Sequence, residues 1–297
     1  SAMVNSDQMA WLRKDLSYVD ASTPVVVCMH APLYRASSAT GYSMSLSGGS
    51  SLVGACSKFS RVDYLTGHTH RVVNVDKGTY FEHNSGAVCA SWWWSTAYNG
   101  SNKIHIATDG APGGYVVWDV KGTGRSWQFK GTKEDLSFQF RSYDLNEVDF
   151  SAAGMTPVYG NASKASAWAG AFPAYASAYK TSSDNYILLN VWNYDPSWTI
   201  EVTEKTSSGD VPLTGQRMYS YDPLHILAYV AQRYSADGNN SFGFTSTLTN
   251  HLFRFQASAP DTTVGIKVTD GFGNVYSETM TRPKEFSVRS YVSGYAQ

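Results

Sequence analysis

Two apolar strands that each stop at a histidine constrain this chain more than any other feature. Pro24 bars helix and opens Val25-Val26-Val27-Cys28-Met29, five apolar residues in a row. Such a run reads as a central strand buried on both faces. It stops at His30. A second, shorter strand over Val62-Asp63-Tyr64-Leu65-Thr66 stops at Gly67-His68-Thr69-His70. Parallel neighbours ending in this way put three imidazoles on one rim, and the C-terminal rim is where open α/β sheets hold their sites. Imidazoles two residues apart at a strand end can face the same side. Neutral imidazole is a good ligand for Zn²⁺, Mn²⁺ or Fe²⁺, and Gly67 is expected to let the backbone bend. One histidine at a strand end is usually just hydrogen-bonded in place. His30, His68 and His70 together read as metal ligands.

Around these strands the pattern alternates. Residues 5–20 read as an amphipathic helix, capped by Asn5, Ser6 or Asp7, with Met9, Leu12, Leu16 and Val19 on one face. Residues 33–50 are polar and Ser/Gly-rich, the composition of a surface loop. Residues 51–60 read as a short helix with Leu52, Val53, Cys56 and Phe59 inward. Residues 72–75 and 79–82 pair around Asp76-Lys77-Gly78, and further strands are expected at 87–90, 115–120 and 125–130. Residues 131–183 are expected to be an irregular inter-domain linker, with 151–177 rich in Ala, Gly and Ser and nearly uncharged. From residue 185 onward the pattern is all-β. Strands are expected at 186–192, 198–204, 225–230, 251–257, 263–269 and 274–280, with a hairpin loop at Asp270-Gly271-Phe272-Gly273. The expected organisation is therefore an incomplete α/β unit over 1–130, the linker over 131–183, and a small β-sandwich over 184–297.

Composition narrows the function classes. Apolar residues are 42 % of the chain, aromatics 14 % and charged residues 16 %, which excludes a disordered chain and favours pleated structure. The net charge of −1 comes with no basic stretch, so nothing marks a nucleic-acid partner. No apolar run is long enough to span a bilayer. Cys28, Cys56 and Cys89 form no C-x-x-C pair and lie in apolar runs, so they read as buried small hydrophobes. Ser1-Ala2-Met3 reads as an added leader, with the native N-terminus and any targeting signal expected outside this chain.

The chain resembles the calcineurin-like metallophosphoesterases. The residues that carry the likeness are Gln8-Met9-Ala10-Trp11-Leu12-Arg13-Lys14-Asp15-Leu16, the strand through Met29-His30, and Tyr64-Leu65-Thr66-Gly67-His68-Thr69-His70. The stretches 84–94, 109–115 and Thr281-Arg282-Pro283 are similar to large bacterial extracytoplasmic members with an added C-terminal β-domain. The resemblance implies the C-terminal half of a two-metal (Mn, Fe or Zn) phosphoester hydrolase followed by a β-sandwich. It also implies a periplasmic or extracellular setting. His30 and His68 would bind the second metal, and His70 the first. The family's Asp-x-His, Gly-Asp-x-x-Asp and Gly-Asn-His-Asp elements are not in this chain. The expectation is therefore an N-terminally truncated chain that is inactive alone, with metal sites empty or partly filled. An incomplete sheet would also have an open edge. Either the missing half stays bound there, or a homodimer mate pairs with the edge, or the remaining core suffices.

Weaker candidates complete the set. Trp92, Trp93 and Trp94 can line a substrate cleft, although core or lid packing is the commoner use of such residues. His83 and Asn84, at a strand end, can reach a substrate, although hydrogen-bonding to a loop is the plainer role. Asp237-Gly238-Asn239-Asn240 lacks the later Glu of an EF-hand loop and reads as a turn. No G-x-S-x-G element or P-loop is present. The competing function is a non-catalytic binding or structural module that recognises a partner or glycan through the β-sandwich.

Overall fold

The computed structural model describes residues 3–89 and 94–292. Helix α1 (Ser6–Leu16) is closed by a capping box: Asn5 and Gln8 each accept from the other's backbone N–H at 2.9 Å. Strand β1 (Val25–Cys28) follows. Residues 33–50 are not one loop, because they contain a small antiparallel pair, β2 (Tyr34–Ala36) and β3 (Tyr42–Met44). Then come α2 (Gly49–Ala55), β4 (Val62–Thr66), β5 (Val73–Asp76) and β6 (Tyr80–Asn84).

The first sheet has the order β1-β4-β6-β5, with β1, β4 and β6 parallel and β5 antiparallel to β6. One face buries Val62, Tyr64 and Val75 against Met9 and Leu16 of α1, Leu52 of α2, and Phe59. The unbroken apolar run of β1 predicts a central strand, but β1 is at the edge, and Val26 on its other face is 45 % exposed. A continuous apolar run shows that a strand is apolar, not that two neighbours cover it. The cysteines divide in the same way: only Cys56 is buried, while Cys28 and Cys89 are exposed.

Hairpin β7 (Gly114–Lys121) and β8 (Gly124–Gly131) lies across the second face of the sheet, where Trp127 meets Phe81 at 5.4 Å between ring centroids. Residues 87–89 take no strand conformation. The expected linker is ordered structure: β9 (Arg141–Asp144), then α3 (Ala152–Tyr159), α4 (Ala162–Ala171) and α5 (Pro173–Ala178). Alanine is the best helix former, and Ser151 and Asn161 cap α3 and α4. The composition that reads as low complexity is thus helical.

Beyond it run β10 (Tyr186–Asn190), β11 (Thr199–Thr206), β12 (Gly209–Pro212), β13 (Gly215–Ser220), β14 (Thr249–Gln256), β15 (Val264–Thr269) and β16 (Val275–Met280). They form two antiparallel sheets, β13-β14-β10-β9 and β12-β11-β15-β16. Ile187, Leu189, Phe253 and Phe255 of the first sheet share a core with Val202, Ile266 and Val268 of the second. Leu188 and Leu252 turn the other way, into a core with Trp168 of α4 and Tyr175 of α5. Residues 225–230, expected as a strand, are helical. A helical segment runs through Pro223–His225, the π-helical Ile226–Ala231 and Gln232–Asp237, opened by Asp222, whose carboxylate accepts from His225 N–H. The residues of its π-helical turn are all buried, and an apolar run covered on every side has no periodicity to separate helix from strand. The chain is mixed α/β with several sheets. No helix among the described residues is long and apolar enough to cross a membrane.

Candidate histidine rim and its supports

The ladder between β1 and β4 continues past the strand ends. Met29 N–H donates to Leu65 O at 3.0 Å, and Gly67 N–H donates to His30 O at 3.0 Å. These bonds bring the two histidine segments together. His30 Nε2 lies 2.9 Å from His68 Nδ1, and the rings meet edge to face with centroids 4.8 Å apart. His70 is half-buried; burial pulls its pKa down, and the nearby His68 and His30 add to that pull. Its Nδ1 lies 3.6 Å from Cys89 Sγ. Cys89 escapes a reading based on its apolar neighbours, because the contact spans a turn and two strands.

The bend after β4 is not made at Gly67. His68 and His70 take the left-handed conformation, with φ of 65° and 56°. Each costs about 1–2 kcal/mol for a residue with a Cβ, so the surroundings must hold them. Thr69 between them donates to Asn84 Oδ1 at 2.8 Å, and Asn84 Nδ2 donates to Gly67 O at 3.0 Å. Asn84, expected near a substrate, is buried and grips the histidine loop.

Two residues earlier on β6, Glu82 does the same for the segment after His30. Its carboxylate accepts from Leu33 N–H at 2.6 Å, Tyr34 N–H at 2.9 Å and the Thr66 hydroxyl at 2.9 Å. Burial raises this carboxyl to about 7, against the pull of its three donors. The sequence signal for Glu82 is an acid at an alternating position between Phe81 and His83. Asp109 anchors the far side: it accepts from Val72 N–H at 2.8 Å and Ala111 N–H at 3.1 Å, and it lies 3.4 Å from His251 Nε2. Burial pushes its carboxyl up, but His251 and the two N–H donors outweigh that and hold it low.

His83 does not join the rim. Alternation along β6 turns it to the opposite face, stacked on Phe81 at 4.1 Å and edge-on to Trp118 at 4.5 Å and Trp127 at 4.4 Å. Among the described residues neither of its ring nitrogens has a hydrogen-bond partner. Burial pulls its pKa far below the ordinary value. Trp92 and Trp93 lie outside the described residues.

The donor set can be tested against a metal. The two nitrogens, 2.9 Å apart, are at hydrogen-bond distance; ligands of one tetrahedral ion with bonds of about 2.1 Å stand roughly 3.4 Å apart, so a shared ion would need a small movement of the rings. Among the described residues no carboxylate oxygen lies within 4.0 Å of either ring's nitrogens. Among the described residues no group of three His, Cys, Asp or Glu side chains is placed to hold a metal ion. By themselves they do not make a dinuclear centre.

Beside the histidine loop is a cavity of ≈ 220 Å³, lined by Arg35, Thr69, Arg71, Asn84, Tyr219 and Thr249 among others. Burial lowers the Arg71 pKa; Asp109 counters this and Arg35 reinforces it.

The first sheet, with His30 and His68 in contact at the C-terminal rim of β1 and β4, is thus joined to two antiparallel sheets in a mixed α/β chain. Residues 82–276 match the family model described as the C terminal of calcineurin-like phosphoesterase, and the chain belongs to that family. The match runs from β6 to β16, through the residues expected as a linker, and the three histidines precede it. Comparison with curated proteins found no match, and comparison with solved structures found none.

Proposed function

We propose that this chain is the C-terminal part of a metal-dependent phosphoester hydrolase, with the two-sheet unit as an accessory β-sandwich. Calcineurin-like phosphoesterases are generally dinuclear metal enzymes, so the family supports a hydrolase. The observation that carries the reading is the His30–His68 contact at 2.9 Å on the rim of adjacent parallel strands. His70 stands close enough for their charge to bear on it. In this reading the chain contributes imidazoles, and carboxylate ligands come from outside these 297 residues. A pair of dications needs anionic ligands to offset its charge, so the chain alone is a metal-binding but non-catalytic unit.

Two measurements test this. Zn²⁺ titrated calorimetrically should bind, and His30→Ala or His68→Ala should weaken binding by about tenfold or more. Equal affinity in the variants removes the imidazole reading. With Mn²⁺ and p-nitrophenyl phosphate the chain should show no turnover. Turnover that disappears in His70→Ala overturns the non-catalytic part.

A further inference from the structure

The cavity beside the histidine loop holds two cations without a counter-charge. Arg35 is on β2 and Arg71 directly follows His70; both line the same ≈ 220 Å³ space. Among the described residues no carboxylate lies within 4.0 Å of either guanidinium, and neither side chain has a hydrogen-bond partner there. The carboxylate whose charge reaches Arg71, that of Asp109, already serves Val72, Ala111 and His251. The neighbouring polar groups are engaged too. Thr69 and Asn84 bond each other, and the Tyr219 hydroxyl donates to Ala36 O at 3.0 Å.

Two like charges brought together in a half-enclosed space repel, and a partly buried guanidinium without a partner costs free energy. The fork of an arginine matches a phosphate or carboxylate through two parallel hydrogen bonds. We propose that Arg35 and Arg71 form a subsite for a compact oxyanion, phosphate or carboxylate, carried by the substrate beside the histidine rim. The subsite deepens the hydrolase reading and rests on it for the word substrate. It favours a phosphoester with a second anionic group over one with a neutral leaving group. Tyr219 and Thr249, from β13 and β14, close the cavity, so its wall comes from both the first sheet and the antiparallel sheets.

The test is anion binding by the whole chain in the presence of EDTA, so that it reads nothing about metal. Inorganic phosphate and malonate are titrated separately by calorimetry at constant ionic strength. The expected result is binding of at least one, weakened about tenfold by Arg71→Gln and by Arg35→Gln, and unchanged by Lys180→Gln, an exposed cation that does not line the cavity. Arg71→Lys should recover part of the loss, because it restores charge without the fork. Phosphate binding alone marks a phosphoryl subsite, and malonate binding alone marks a carboxylate one. Arg35 is exposed, so its variant keeps the test valid if Arg71→Gln unfolds. No binding of either anion by the unaltered chain, or binding by both glutamine variants as tight as that of the unaltered chain, overturns the proposal.

Discussion

Replacing Glu82 tests how the rim is held. Its side chain is fully buried and its carboxylate is the acceptor for Leu33 N–H, Tyr34 N–H and the Thr66 hydroxyl. Glu82→Leu keeps much of the bulk and leaves three donors without an acceptor, at about 1–3 kcal/mol each. The Thr66 hydroxyl can turn elsewhere, so the expected cost from the two backbone donors is about 2–6 kcal/mol before charge is considered. Charge gives that cost a pH dependence. Burial raises the folded carboxyl from 4.5 to about 7. The stability from the bound proton is therefore fully present below about pH 4.5 and is lost as pH rises through about 7. The unaltered protein should gain about 2–3 kcal/mol from this group between pH 8 and pH 5. Glu82→Leu has no such gain, so its penalty should be larger at pH 5 than at pH 8 by that amount. Urea unfolding at the two pH values measures the difference. Hydrogen exchange at the Leu33 and Tyr34 amides locates it, with faster exchange expected in the variant. Glu82→Gln, which keeps one carbonyl oxygen, should fall between. A penalty below about 1 kcal/mol at pH 5, or unchanged protection at both amides, would refute the assigned role.

Two other substitutions probe the supports. Gly110 has φ of 83°, and a Cβ there would lie 2.1 Å from Asp222 Cγ, so Gly110→Ala should cost about 3 kcal/mol or more by displacing the carboxylate that accepts from Tyr143, Asn190 and His225; an unchanged melting temperature would contradict this. His83→Phe should leave stability equal or raise it by about 1 kcal/mol, because it removes two buried nitrogens without partners. The folded-state pKa of His83 lies well below 6.5, so its contribution is present above that pH and lost below it; the variant should flatten the acid limb of a stability–pH curve, and a steeper limb would count against the aromatic box.

Local signals in the sequence were enough for α1 and its cap, for β4, for the hairpins β5–β6, β7–β8 and β15–β16, and for the two histidine-ended strands. Each depends on residues close in sequence: a capping box, an alternation, a Gly-containing turn. Where coverage decided the outcome, local pattern was not enough. The run over 225–230 is apolar whether helix or strand, and only its enclosure among helices and Leu252 made it helical. The alanine-rich stretch became helices because neighbours supplied an apolar surface for Ala165 and Trp168. The site follows the same division. Strand-end histidines were legible from their positions, but Glu82, Asp109 and Cys89 work through contacts across the sheet. Arg35 and Arg71 meet Tyr219, almost 150 residues beyond Arg71, only because β13 lies against β2. Sequence alone specified which residues can bind a cation or an anion. The packing of distant strands decided which of them face each other, because charge and hydrogen bonding act over a few ångströms of space, whatever the separation along the chain.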